Sequence, residues 1–141
     1  KLELPVVTGT PEAAAAGEAP KVDEARLSAL DAFLSALPDG FYTIKPADLN
    51  ADLTKFTILD VRTPEEFANG YIEGAINIPV NELFASLDKL PDKAAPIVIL
   101  CQSGHRGAVG MMALRMIGYT DISNLGGGMN AWTAAELPVV K

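Results

Sequence analysis

The run Pro96-Ile97-Val98-Ile99-Leu100 constrains this chain more than any other segment. It is apolar at every position, so a strand made from it must be covered on both faces. Phe56 to Val61 (Phe-Thr-Ile-Leu-Asp-Val) has nearly the same character. Shorter strand signals fall at Phe41 to Ile44, Ala75 to Pro79 and Asp121 to Leu125, with helical periodicity between them. Strands alternating with helices imply an α/β fold with a central, mostly parallel five-stranded sheet and helices on both faces.

The helical segments carry their own punctuation. From Val22, Leu27, Leu30, Leu34 and Leu37 recur at three- and four-residue steps, with Pro38-Asp39-Gly40 as the stop. Lys45 to Leu49 opens a brief helical turn. Thr63 caps a helix with Pro64 at its first position. Asn81 is expected to cap a helix running to about Leu90. Gly107 to Ile117 is expected to form a helix that presents Val109, Met112, Ala113, Met116 and Ile117 on one face, with Gly118 ending it. Gly126-Gly127-Gly128 leads into a last short helix holding Trp132, which reads as core packing.

Residues 1–20 differ from the rest. Pro11 to Pro20 is small, acidic and bounded by prolines, which is linker composition. Before it stands Glu3-Leu4-Pro5-Val6-Val7, and the same five letters recur as Glu136-Leu137-Pro138-Val139-Val140. One copy closes the globular part and the other precedes the linker. Residues 1–20 are therefore read as a linker carrying the tail of a preceding, similar domain, and 21–141 as one domain.

Composition narrows the chemistry. A net charge of -7 disfavours nucleic acid and anionic membrane surfaces as partners. No apolar run approaches the roughly 20 residues that span a bilayer. One cysteine and one histidine leave no set of soft ligands for a metal, and no cofactor is expected. The four methionines, at helical spacing, read as core filling. The sequence carries no targeting signal from which to assign a compartment.

The lone cysteine, Cys101, ends the strongest strand and opens the loop Cys101-Gln102-Ser103-Gly104-His105-Arg106. A cysteine so placed is a buried structural residue more often than a nucleophile. The rest of the loop reverses that reading. Gly104 and Gly107 permit a tight curve, and the following helix start turns several N–H groups inward as an anion-binding nest. Arg106 adds a permanent positive charge and His105 an optional one. Such a setting stabilises a thiolate. It can equally hold a thiolate extended by one sulfur.

Four segments carry a family resemblance. Cys101-Gln102-Ser103-Gly104-His105-Arg106 resembles the C-x-x-G-x-R loop of the rhodanese family. Ile58 to Phe67 resembles its D-V-R…E-F segment, Gly70 to Pro79 its G-H-I-x-G-A-x-N-I-P segment, and Gly126 to Trp132 its G-G-x-x-A-W. Tyr71 departs from the family's usual His, at a position read as structural. The resemblance implies a sulfurtransferase. Cys101 would accept sulfane sulfur from a small anionic donor such as thiosulfate and pass it to cyanide or a thiol. Main-chain amides from Gln102 to Gly107 would cradle the persulfide, and Arg106 would bind the donor. Phosphatase loops of the tyrosine-phosphatase kind carry one residue more between Cys and Arg, so the tighter ring here favours a terminal sulfur.

Asp60 and Arg62 stand at the end of the neighbouring strand and are candidates for substrate contact. The stronger expectation is that Arg62 and Glu66 pair across a helix start and fix the loop. His105 is read as tuning local charge, because thiol–sulfur exchange needs no dedicated base once the thiolate exists. With no second cysteine, sulfur cannot leave by forming an internal disulfide, so an external acceptor is required. Neighbouring similar domains in a parent chain are further expected partners, as are the donor and acceptor molecules. A pure persulfide carrier and a non-catalytic interaction domain are the competing readings.

Overall fold

Alternate residues of a strand point to opposite faces, and in this protein each face of the central strand meets its own core. The computed structural model describes residues 21–141. The linker and the first Glu-Leu-Pro-Val-Val copy lie outside the described residues. In β4 (Ile97–Leu100), Ile97 and Ile99 join one hydrophobic cluster while Val98 and Leu100 join the other. β2 (Thr57–Asp60) divides likewise, with Leu59 on the first face and Ile58 on the second.

β1 (Thr43–Ile44), β3 (Ile76–Asn77) and β5 (Ile122–Leu125) complete a five-stranded sheet in the order β1-β5-β4-β2-β3. Every pairing is parallel. From β2 the chain moves to one side of the sheet, and from β4 to the other. The change of direction falls between these two strands, whose last residues, Asp60 and Leu100, are register partners. Ligand crevices of open α/β sheets lie at such switch points, beyond the carboxyl ends of the strands.

α1 spans Glu24–Ser35, α2 Pro46–Asn50, α3 Pro64–Ala68, α4 His105–Met116 and α5 Gly128–Ala134. α3 begins as expected: the Thr63 hydroxyl accepts from the Glu66 amide at 3.3 Å, and Glu66 Oε2 accepts from the Thr63 amide at 3.0 Å. Leu49 from α2, with Met129 and Trp132 from α5, covers the second face of the sheet. Met111 and Leu114 from α4 cover the first.

Several expectations are corrected. α4 buries Gly107, Gly110, Met111 and Leu114, whereas Val109, Met116 and Ile117 are exposed. The sheet selects the glycine face because it needs close approach: a Cβ on Gly110 would stand 2.8 Å from Ile99 Cδ1. The segment after β3 is not a helix capped by Asn81. It is 3₁₀ over Val80–Lys89, starts at Pro79 and breaks at Ser86. Val80, Leu83, Leu87 and Leu90 pack on the first core, at three-residue steps on either side of the break at Ser86 and a four-residue step across it. Phe41 and Tyr42 have positive φ, which confines β1 to two residues. α1, despite its leucine periodicity, buries none of its residues. Both clusters are complete without it.

The segment Glu136 to Val140 locks the second face. Leu137 and Val139 pack on that cluster, and the Pro138 carbonyl accepts from Trp132 Nε1 at 2.8 Å. Val140 and Tyr71 exchange backbone hydrogen bonds of 2.9 and 3.0 Å. Tyr71 stacks on Phe67 with ring centroids 4.3 Å apart, which is a packing role.

Candidate active site

Cys101 continues directly from β4 at the switch point and is 1% exposed. The chain then curls so that the Gly104 N–H donates to Cys101 Sγ at 3.2 Å. Gly104 makes the curl possible. It sits at φ +95°, a left-handed conformation that disfavours side chains, and serves as N-cap of α4. The helix starts at His105, two residues earlier than expected, and its first backbone bond runs from Ala108 N–H to Gly104 C=O at 2.9 Å. The amides of His105, Arg106 and Gly107 therefore belong to the unpaired first turn, at the positive end of the helix.

α5 holds the loop from the other side. Its Met129 N–H donates to the Cys101 carbonyl and its Asn130 N–H to the Gln102 carbonyl, both at 2.9 Å. A Cβ on Gly128 would collide with the Cys101 carbonyl, so the close approach depends on glycine there. Gln102 Nε2 donates to Asn130 Oδ1 at 2.6 Å. From β5, Asn124 Nδ2 donates to the Gly104 carbonyl at 3.2 Å, and Asn124 Oδ1 occupies the space that a Cβ on Gly107 would need. Asn124, Asn130 and Met129 were not expected at the site. They are remote in sequence from the loop and only the fold brings them there.

The charged residues are arranged differently from the expectation. Arg62 does not pair with the Glu66 carboxylate. Its Nε and Nη2 grip the Asp60 carboxylate at 2.9 and 2.6 Å, and its remaining donors reach the carbonyls of Gly70 at 2.7 Å and Glu66 at 3.1 Å. Arg62 Nη1 also lies 3.4 Å from Gln102 Oε1. Asp60 and Arg62 are both buried, although Arg62 also borders the cleft beside the loop. The Glu66 carboxylate instead binds Arg106, with Nη1 to Oε2 and Nη2 to Oε1 both at 2.7 Å. These two bonds, aided by the Thr63 amide and opposed by partial burial, hold the Glu66 carboxyl down at about 2. Glu66 in turn keeps Arg106 protonated beyond its ordinary range, and Cys101 adds to that effect.

The remaining loop side chains face solvent. Ser103 Oγ and His105 Nδ1 lie 2.9 Å apart and both residues are exposed. Beside the loop opens a cleft of about 250 Å³, lined by Arg62, Glu66, Gln102, Met129, Thr133 and Val139 among others. Among the described residues, no group of three or more His, Cys, Asp or Glu side chains is placed to hold a metal ion.

A parallel sheet with one thiol curled into a helix-capping loop at its switch point defines a class: α/β domains that carry a lone cysteine in the ligand crevice of the sheet. The model of the Rhodanese-like domain family matches residues 45–135, and the chain belongs to that family. A sulfurtransferase of Allochromatium vinosum is 36% identical over 90 residues, covering 64% of this chain and 83% of that one. Thiosulfate sulfurtransferase 16 of Arabidopsis thaliana is 37% identical, with 57% and 76% covered. Among solved structures, a rhodanese-related protein from Thermoplasma volcanium superposes with a TM-score of 0.66 at 33% identity, covering 71% of this chain and 98% of that one. A human single-domain sulfurtransferase gives 0.59 at 32%, with 66% and 96% covered. These relatives support a general sulfurtransferase role.

Proposed function

We propose that the domain moves sulfane sulfur through a persulfide on Cys101. The observation that carries this reading is the Gly104 amide aimed at Cys101 Sγ at 3.2 Å, at the unpaired end of α4. That geometry stabilises negative charge on sulfur, in the thiolate and then in the persulfide. With thiosulfate as the simplest donor, the Cys101 thiolate attacks the outer sulfur and the S–S bond breaks. Sulfite departs with the electron pair. An acceptor, cyanide or a thiolate, then attacks the outer persulfide sulfur. This yields thiocyanate or a new persulfide and returns the Cys101 thiolate. The acceptor must come from outside the domain, because Cys101 is the only cysteine.

The test is intact mass after incubation with a sulfur donor. The protein is expected to gain one sulfur atom, lose it on addition of cyanide, and gain nothing once Cys101→Ser is introduced. Sulfur uptake that survives Cys101→Ser would sink the reading. A stable adduct that cyanide or thiols cannot discharge would favour a carrier for a specific protein partner.

The repeated Glu-Leu-Pro-Val-Val supports a second, independent element of the reading. In the second copy the segment from Leu137 to Val140 is occupied in closing the fold. We take the first copy as the closing segment of a preceding rhodanese-like domain, and a tandem parent as the source of neighbouring-domain partners. A parent gene with no such domain upstream of residue 1 would remove this element and leave the Cys101 chemistry untouched.

A further inference from the structure

Asn124 is a polar residue on an apolar face of the sheet. It stands two residues after Ile122 on β5 and opposite Ile99 on β4, and both isoleucines belong to the first core. Its side chain therefore points into that face, and the residue keeps only 8% of its surface. A buried amide needs partners for both of its ends. Asn124 Nδ2 has one, donating to the Gly104 carbonyl at 3.2 Å. Asn124 Oδ1 has none among the described residues, and it fills the space that a Cβ on Gly107 would need. Turning the amide over would set that oxygen against the Gly104 carbonyl, acceptor to acceptor, so the observed orientation is the better of the two. An unpartnered buried oxygen costs stability. The Nδ2 bond repairs no deficit in return, because the Gly104 carbonyl already accepts from the Ala108 N–H at 2.9 Å. Stability thus does not account for an asparagine at this place.

Alignment of the loop does account for it. Cys101 continues from β4. From the neighbouring β5, Asn124 reaches the residue whose N–H donates to Cys101 Sγ at 3.2 Å. Sulfur and donor are thereby anchored to adjacent strands. Gly104 needs such an anchor, since it sits at φ +95° and has no side chain to hold it there. Asn124 is itself fixed, because its backbone N–H donates to the Tyr42 carbonyl at 2.9 Å. The peptide that Asn124 grips also carries the His105 N–H, the first of the unpaired amides of α4. A carbonyl that accepts twice polarises its peptide and makes that N–H a stronger donor.

Resting on the Cys101 reading, we infer that Asn124 is a positioning residue, which holds the Gly104 peptide so that the loop amides favour the charged form of the Cys101 sulfur. The fold tolerates the orphaned Oδ1 for the sake of that alignment. Asn124 touches no reacting atom.

The experiment follows alkylation of Cys101 by iodoacetamide in the full chain, at about pH 7 and about pH 10, alongside chemical denaturation. The thiolate is the reacting form, so the alignment matters at the lower pH and much less where thiols ionise unaided. Asn124→Val suits a buried strand, is short enough to clear Gly107 and removes both ends of the amide. It is expected to slow alkylation roughly three- to tenfold at about pH 7 and less than about twofold at about pH 10, with the denaturation midpoint level or higher. Asn124→Ala is expected to show the same pH-selective loss, and it serves if the valine variant does not fold. A purely structural asparagine would instead lower the midpoint of Asn124→Val and leave the ratio of the two rates at its wild-type value. An unchanged ratio in the folded variants would overturn the inference. Alkylation transfers no sulfur, so that outcome is separate from the mass measurement with Cys101→Ser, which tests the persulfide.

Discussion

Two arginine–carboxylate pairs flank one loop, and they differ in almost everything but chemistry. Asp60 and Arg62 are neighbours in sequence, fully buried, and laced to the carbonyls of Glu66 and Gly70. Glu66 and Arg106 are forty residues apart, and their side chains keep 31% and 35% of their surface. The first pair ties the ends of β2 and α3 into a frame. The second ties the start of α3 to the cysteine loop and stays partly open to solvent. A buried pair is costly to break and of uncertain net benefit to have, whereas a half-exposed pair contributes little to stability.

The contrast can be broken most sharply at Asp60. Asp60→Ala strands Arg62 as a buried cation, so chemical denaturation should show a loss of about 3–5 kcal/mol. A loss below ~1 kcal/mol would mean that water already reaches Arg62 and that the two pairs are alike. At the other pair, Glu66→Gln should cost less than about 1 kcal/mol in the same measurement.

A finer distinction lies in acid. The Glu66 carboxyl is held from 4.5 down to about 2 in the folded protein. A carboxyl depressed on folding stabilises the native state above its unfolded value and loses that stabilisation as pH falls toward its folded value. The Glu66 contribution is thus whole above pH 4.5 and fades between there and about pH 2. The difference in stability between wild type and Glu66→Gln should therefore shrink across that window. A difference that stays constant would show that the pair does not titrate as a pair.

Much of the architecture was legible because burial on two faces leaves a plain mark. The runs at Ile97–Leu100 and Thr57–Asp60 are the two adjacent central strands, and the loop after the first of them is the candidate site, at the switch point of the sheet. The helix faces were harder to read. On α4 the large apolar residues suggested one face, but Gly107 and Gly110 permit closer contact with the sheet, and hydropathy gives glycine no weight. The Arg62–Glu66 expectation failed for a local reason. Arg62 precedes the Thr63 cap, so the helical four-residue rule does not reach it, and the nearest carboxylate lies back in the strand. Nothing in sequence spacing could join Glu66 to Arg106, because that contact exists only once β2 and β4 lie side by side.

The Val140–Tyr71 bridge carries a mechanical consequence. Val139, the residue before it, is a wall of the cleft, and two backbone hydrogen bonds fasten the segment beyond it. A pull on the carboxyl end loads that single pair of bonds, whereas the sheet would have to shear along whole strands. Tension on the carboxyl end would thus reach the cleft wall at Val139 before it reached the strands of the sheet.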